Sequence, residues 1–227
     1  MESPRFKESP RFKRGKISNN VIRRLPRYLR KLGDLAAEGV DRISSKELGR
    51  QMALTASQIR QDFSCFGEFG QQGWGYSVPF LQNQISIILG MRRGYRLILV
   101  GVGNLGRALL KNFGFERYGF TLAGAFDVDP ALVGSVVSGA QIYHADSLEA
   151  FLRENRADIA VLAVPGDAAN ATAELMVRCG VGAIWNFTNT ELAVSQTGTL
   201  VEDIHFSDSL LSLSYFLTES LAQSNDS

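Results

Sequence analysis

The turn Gly101-Val102-Gly103-Asn104-Leu105-Gly106 follows directly on the apolar run Tyr95–Val100 and opens the helix-like stretch Arg107–Phe113. A G-x-G-x-x-G turn is weak evidence alone, but a strand before it and a helix after it define a βαβ nucleotide-binding unit. Each glycine has its own task. Gly101 permits the turn, Gly103 lets the backbone approach a pyrophosphate, and Gly106 lets the helix pack on the strand. The phosphates would rest on the amides of the helix N-terminus, which favours anions. The feature commits the C-terminal part of the chain to an α/β fold with a parallel sheet.

The residues that follow fit this frame. Thr121–Phe126 reads as a second strand and delivers Asp127, with Val128 beside it, to the place of a ribose-binding acid. A carboxylate there accepts both ribose hydroxyls and repels a 2′-phosphate, so NADH and NAD+ are preferred to their phosphorylated forms. Strand and helix patterns keep alternating: Gln141–His144, a helix from Ser147, Asp158–Val164, a helix over Asp167–Cys179, and Ala183–Phe187. Val164-Pro165-Gly166 and Asn186-Phe187-Thr188 then fall on the same sheet edge as the glycine turn, where ligands of such folds bind. Ordinary loop closure accounts for them equally well. Thr199–Phe206 reads as the last strand. From Asp208 onward, Leu210, Leu211, Leu213, Tyr215, Phe216, Leu217 and Leu221 form a terminal helix with a wide apolar surface. It must pack on its own domain or on a second subunit.

The first third of the chain has a different pattern. From Ile17, apolar residues Val21, Ile22, Leu25, Tyr28, Leu29 and Leu32 follow a helical period, with arginines on the other faces. Pro26 predicts an early turn or a kink, and Gly39 ends the helix. Ser44-Ser45-Lys46-Glu47 is an S-x-x-E start for a second helix reaching Met52, and Thr55-Ala56-Ser57-Gln58 opens a third that carries Ile59, Arg60, Gln61 and Phe63. Two short helices so closely spaced make a helix-turn-helix, with the third helix as reader. Gly67, Gly70, Gly73 and Gly75, interleaved with Phe66, Phe69, Trp74 and Tyr76, then suit a β-hairpin, the wing of a winged helix. A connecting helix over Val78–Leu89 ends at Gly90.

Charge supports a polyanion partner for this part. Residues 1–60 hold fifteen Lys/Arg against six Asp/Glu, and residues 61–227 hold nine against seventeen, so a head of +9 precedes a body of −8. Lys and Arg on phosphates release condensed counterions, but a solvated basic helix explains the charge equally well, and only the charge together with the wing favours DNA. Residues 2–7, ESPRFK, recur at 8–13 and read as a basic arm over residues 1–16. Cys65 and Cys179 are far apart in unlike contexts, so neither a disulfide framework nor metal spacing is indicated. No apolar run reaches the roughly 20 residues that span a bilayer, and the N-terminus lacks a hydrophobic signal region. The expectation is a cytoplasmic protein without metal or membrane partner.

The motifs IRQDFSCFGEFG…GWGY from Ile59, VGVGNLGRAL from Val100, AGAFDVDP from Ala123, VLAVP from Val161 and WNF from Trp185 occur in one order over about Ile17 to Leu221. In this the chain resembles the Rex family of redox-sensing transcriptional repressors. The resemblance implies a winged-helix domain at 17–89, a Rossmann domain binding NADH and NAD+ at 90–206, and a helix at 207–227 swapped between subunits of a homodimer. It also implies the logic: NADH closes the dimer and releases a palindromic operator in double-stranded DNA, and NAD+ permits repression. Ser44, Ser45, Lys46, Ser57, Gln58, Arg60, Gln61, Gln72 and Tyr76 are the corresponding DNA-facing candidates.

The chain departs from the family pattern in three places. Arg60-Gln61-Asp62 stands where Arg-Lys-Asp is usual, and Gln71-Gln72 where the wing is usually basic. Gln favours adenine where Lys favours guanine, so affinity falls or the preferred site changes. A Tyr–Asp switch pair of some members corresponds here to Asn112 and His205, whose hydrogen bond would add a pH dependence near neutrality. Two other functions share the nucleotide fold. An oxidoreductase needs a placed acid or base, yet the chain has only two histidines, His144 and His205, in no catalytic motif. A coenzyme A-type regulator would use a similar turn, and Asp127 argues against it.

Overall fold

The computed structural model describes residues 17–225 except 68, 72–74 and 197. The basic arm and Gln72 lie outside the described residues. The chain forms two compact units that meet at Arg93/Gly94, just past the expected boundary at Leu89.

In the first unit, α1 (Asn19–Ala37) is amphipathic, capped by Ser18 and buried along Val21, Leu25, Tyr28, Leu32 and Leu35. The helix continues past Pro26 and is not ended by it. Proline removes one backbone donor, but its ring lies on the exposed face while Leu25 and Tyr28 anchor the helix to the core. Gly39, at φ +77°, ends α1: its N–H donates to Ala36 and that of Val40 to Leu35, which satisfies carbonyls left over at the helix end. α2 (Ser45–Met52) and α3 (Ala56–Ser64) start on Ser44 and Thr55, whose hydroxyls accept from the amides of Glu47 and Gln58. At Gly49 a Cβ would lie 2.5 Å from the Leu54 carbonyl oxygen, so only glycine allows the tight approach of the turn. The wing is a three-stranded antiparallel sheet in the order β1 (Arg42–Ile43), β3 (Gly75–Ser77), β2 (Gly70–Gln71). β1 was not expected, because two residues are too short to show alternation. α4 (Val78–Ile88) closes the unit, with Pro79 in its first turn, where the missing N–H does no harm.

The second unit is a seven-stranded sheet. Its strands are β4 (Tyr95–Val100), β5 (Phe120–Asp127), β6 (Val136–Val137), β7 (Ala140–His144), β8 (Ile159–Leu162), β9 (Ala183–Asn186) and β10 (Leu200–Asp203). They lie in the order β10-β9-β8-β4-β5-β7-β6, all parallel but β6. From β4 the chain winds outward to β5 and β7, then returns to build β8, β9 and β10 on the other side, the doubly wound Rossmann order. α5 (Asn104–Asn112), α6 (Leu148–Glu154) and α7 (Gly166–Arg178) cover the faces, and two apolar clusters fill the layers around Val100, Phe126 and Leu162 and around Leu99, Ala125 and Val161. The last strand is shorter than expected. Pairing with β9 stops at Ile204, whose amide donates to Asn186, and α8 (Phe206–Asn225) begins at once.

Candidate functional site

The strand order places a gap between the carboxyl ends of β4 and β8, where successive connections leave in opposite directions. Gly101 turns the chain here at φ +97°, and a Cβ on it would lie 2.4 Å from the Ala163 carbonyl oxygen. On Gly106 a Cβ would lie 1.9 Å from the Gly101 carbonyl oxygen. Both glycines are therefore demanded by packing of the protein on itself. Gly103 differs: it has an ordinary φ of −66°, and a Cβ there meets nothing within 4 Å. Its backbone and that of Asn104 are exposed at the start of α5, while Val102 is buried and Leu105 half-buried. The residues thus fit a pyrophosphate laid on the helix N-terminus, with room kept clear above Gly103.

Asp127 ends β5 beside this turn. One carboxylate oxygen accepts from the Val102 amide at 2.5 Å and the other from the Asp129 amide at 2.9 Å. The acid thus braces the glycine turn from the neighbouring strand and retains further lone pairs for ribose hydroxyls. Val128 projects into solvent, 69% exposed. Across the gap, Val164 packs partly on the core and Pro165 precedes the first turn of α7.

Asn186 plays a different part from the one its position suggests. Its side chain is 1% exposed, donates to the Thr190 carbonyl and the Asp203 carboxylate, and accepts from the amide and hydroxyl of Thr188. Both N–H groups and both lone pairs are engaged, so it shapes the rim on which Phe187 and Thr188 follow. Phe187 stacks edge-on against Trp185, with the Phe206 ring 6.2 Å away at the start of α8. His205 Nδ1 lies 3.4 Å from Asn189 Oδ1. The hydrogen bond to Asn112 considered from the sequence is not formed among the described residues: the turn after β10 directs the ring to the β9 loop instead.

In the first unit, α3 exposes Ser57, Arg60, Gln61 and Ser64, spaced to lie on one helical stripe. Arg60 donates to the Ser45 hydroxyl at 3.0 Å, tying α3 to the start of α2, where Ser44 and Lys46 are exposed. Glu47 is held down to about 2 by hydrogen bonds from Arg50 and Gln51. Two expected contacts turn inward. The Gln58 amide donates to Asp62 at 2.8 Å, and Tyr76 is a core ring, 8% exposed, with its centroid 5.1 Å from that of Phe63. Hairpin alternation puts Tyr76 on the inner face, which the glycine-rich sequence conceals.

Asp62 itself was missed. It is fully buried and accepts from Arg24 at 2.7 and 2.8 Å, Tyr28 at 2.6 Å and Gln58. Burial pushes its carboxyl up, but the hydrogen bonds from Arg24, Tyr28 and Gln58 and the Arg24 charge outweigh this and hold it below the usual range. The signal lay in its spacing: an acid three residues after Ile59, on the apolar stripe completed by Phe63 and Phe66.

Residues 16–64 match the family model described as "Putative DNA-binding protein N-terminus", and residues 93–190 match the one described as "CoA binding domain". The chain is 49% identical over 212 residues to the redox-sensing transcriptional repressor Rex of Caldicellulosiruptor bescii, covering 93% of this chain and 97% of that one. It belongs to the Rex family. Rex of Clostridium tetani is 46% identical, over 91% of this chain and 98% of its own. Among solved structures, RSP in complex with β-NAD+ and operator DNA is 44% identical with a TM-score of 0.84, covering 93% of this chain and 97% of that one. RSP in complex with β-NADH is 41% identical with a TM-score of 0.85, covering 94% and 100%. These relatives are named as repressors, not enzymes. Among the described residues no helix is long and apolar enough to cross a membrane, and no group of His, Cys, Asp and Glu could hold a metal ion.

Proposed function

We propose that this Rex-family chain is a homodimeric transcriptional repressor that reads the NADH/NAD+ ratio in the cytoplasm, NADH releasing operator DNA and NAD+ permitting repression. The observation that carries this reading is the clear space at Gly103, between Gly101 and Gly106, where backbone packing leaves no room for a Cβ. Gly101 to Gly106 would cradle the pyrophosphate, Asp127 and Val128 the adenosine, and Val164, Pro165, Phe187 and Thr188 the nicotinamide half, on a rim shaped by Asn186. The exposed stripe of α3, led by Arg60 and Gln61, would enter the major groove, with Ser44, Ser45, Lys46 and Ser57 beside it and the wing at Gln72.

Support comes from relatives of high similarity whose structures hold β-NAD+ with operator DNA, or β-NADH. α8 supports the dimer: Leu210, Leu211, Leu213, Phe216 and Leu217 are all more than half exposed, and a second copy would cover them. A ligand changes DNA affinity only by its differential binding to two states; a coupling of about 1–3 kcal/mol gives a roughly 5- to 150-fold change.

Coenzyme A is the second reading, favoured by the description of the model matched at 93–190. Its 3′-phosphate would meet the carboxylate of Asp127, which suits an unphosphorylated ribose. Polarisation of a labelled palindromic duplex, titrated with NADH, NAD+ and coenzyme A, tests both. NADH is expected to release the duplex and NAD+ to compete with it. Release by coenzyme A alone would replace this reading with the second.

A further inference from the structure

A second concentration of positive charge lies outside the reading stripe of the first unit. A groove between α1 and the end of α2 is lined by Arg27, Arg30, Lys31 and Asp34 from α1 and by Arg50 and Gln51 from α2. Arg27 is anchored to the Met52 carbonyl at 3.5 Å, and both guanidinium contacts of Arg50 run to Glu47. Arg30 is exposed and Lys31 half-buried; the Lys31 charge helps to lower the Glu47 carboxyl, after the hydrogen bonds from Arg50 and Gln51. Within the groove, four cations face the single carboxylate of Asp34. Even with Glu47 set against Arg50 and Lys31 the surface stays positive, since four cations then meet two carboxylates, and a concave cationic surface concentrates anions.

Helical spacing joins this groove to the reading face. Lys46, Arg50 and Ala53 stand at i, i+4 and i+7, so one exposed stripe of α2 leads from the end where Ser45 holds Arg60 into the groove. Arg27, Lys31 and Asp34 repeat that spacing along the opposite wall.

We propose that the groove is a second phosphodiester site, which grips the DNA backbone flanking the half-site read by α3. The assignment rests on the DNA-binding reading above and concerns residues that carry no base recognition. Its role is register and affinity, not sequence choice.

The test uses the full chain, the double variant Arg30→Ala/Lys31→Ala, and two duplexes with one operator core but short or long flanks. Both side chains lie on the helix surface, and circular dichroism verifies that the variant folds. On the long duplex, the slope of log affinity against log salt is expected to fall by roughly 2, at about 0.9 per phosphate contact. Affinity for the short duplex, base preference and NADH affinity stay unchanged. Equal slopes for variant and parent overturn the proposal. So does saturation of the groove by inorganic phosphate, followed by resonance shifts of α1, without weaker binding of the long duplex, since the groove is then a free-anion site. Arg60→Ala runs in parallel to keep the two claims apart. If it retains operator discrimination, the reading of α3 fails; if it loses discrimination while the double variant keeps the parental slope, the groove assignment fails alone.

Discussion

At the level of single residues, the glycine turn separates two kinds of glycine. Gly101 and Gly106 are dictated by backbone atoms a Cβ would strike, whereas Gly103 has neither a strained φ nor a neighbour. Gly103→Val should therefore fold with an unchanged melting temperature and lose NADH binding by at least about tenfold in a fluorescence titration, through steric exclusion of the pyrophosphate. Asp127 needs a milder change than alanine, because it also braces Val102. Asp127→Asn retains one oxygen for that amide and removes the charge that repels a 2′-phosphate. Its preference for NADH over NADPH should narrow by on the order of tenfold, the effect of one partly screened charge at close range. Competition titrations with the two cofactors measure it.

Among elements, the joint between α1 and α3 is polar at its centre. Asp62 collects Arg24 and Tyr28 from α1 and Gln58 from its own helix, so α3 is oriented by hydrogen bonds as well as by Ile59 and Phe63. Asp62→Ala strands a partly buried guanidinium and a buried phenol, and should cost about 3–5 kcal/mol in chemical denaturation. The charge also sets an acid limit. Because the folded pKa is depressed, its stabilisation is fully present above the unfolded value of about 3.9 and is lost as pH falls through the lower folded value. Asp62→Asn should be less stable than the parent near neutrality, with the difference shrinking below about pH 4, as melting curves across pH would show.

For the whole molecule, α8 is the element proposed to build the dimer. Every described side chain along it is exposed, and its apolar residues run all around the helix, which one wall of its own domain could not cover. Leu213→Glu should yield a folded monomer by analytical ultracentrifugation, with operator affinity reduced at least tenfold, since a palindrome needs two heads. Arg60→Ala should abolish operator discrimination and leave NADH affinity intact; parallel loss of both would mark Arg60 as a folding residue.

Local chemistry made much of this legible in the chain. The glycine turn after an apolar strand and the caps at Ser44 and Thr55 act over a few residues, and each lies where the sequence puts it; Asp127 was legible because it ends an apolar strand. Contacts between distant segments left fainter traces. Tyr76 and Gln58 turned inward because hairpin alternation and the Asp62 hub determine which way they point, and Asn186 became part of the frame because Thr188, Thr190 and Asp203 converge on it only when β9 and β10 pair. The groove of Arg27, Arg30, Lys31 and Arg50 likewise exists only once α2 docks against α1. Periodicity reports that a residue faces inward or outward; which partner it meets there is a property of the packed chain, since burial and hydrogen bonding are settled between segments far apart in sequence.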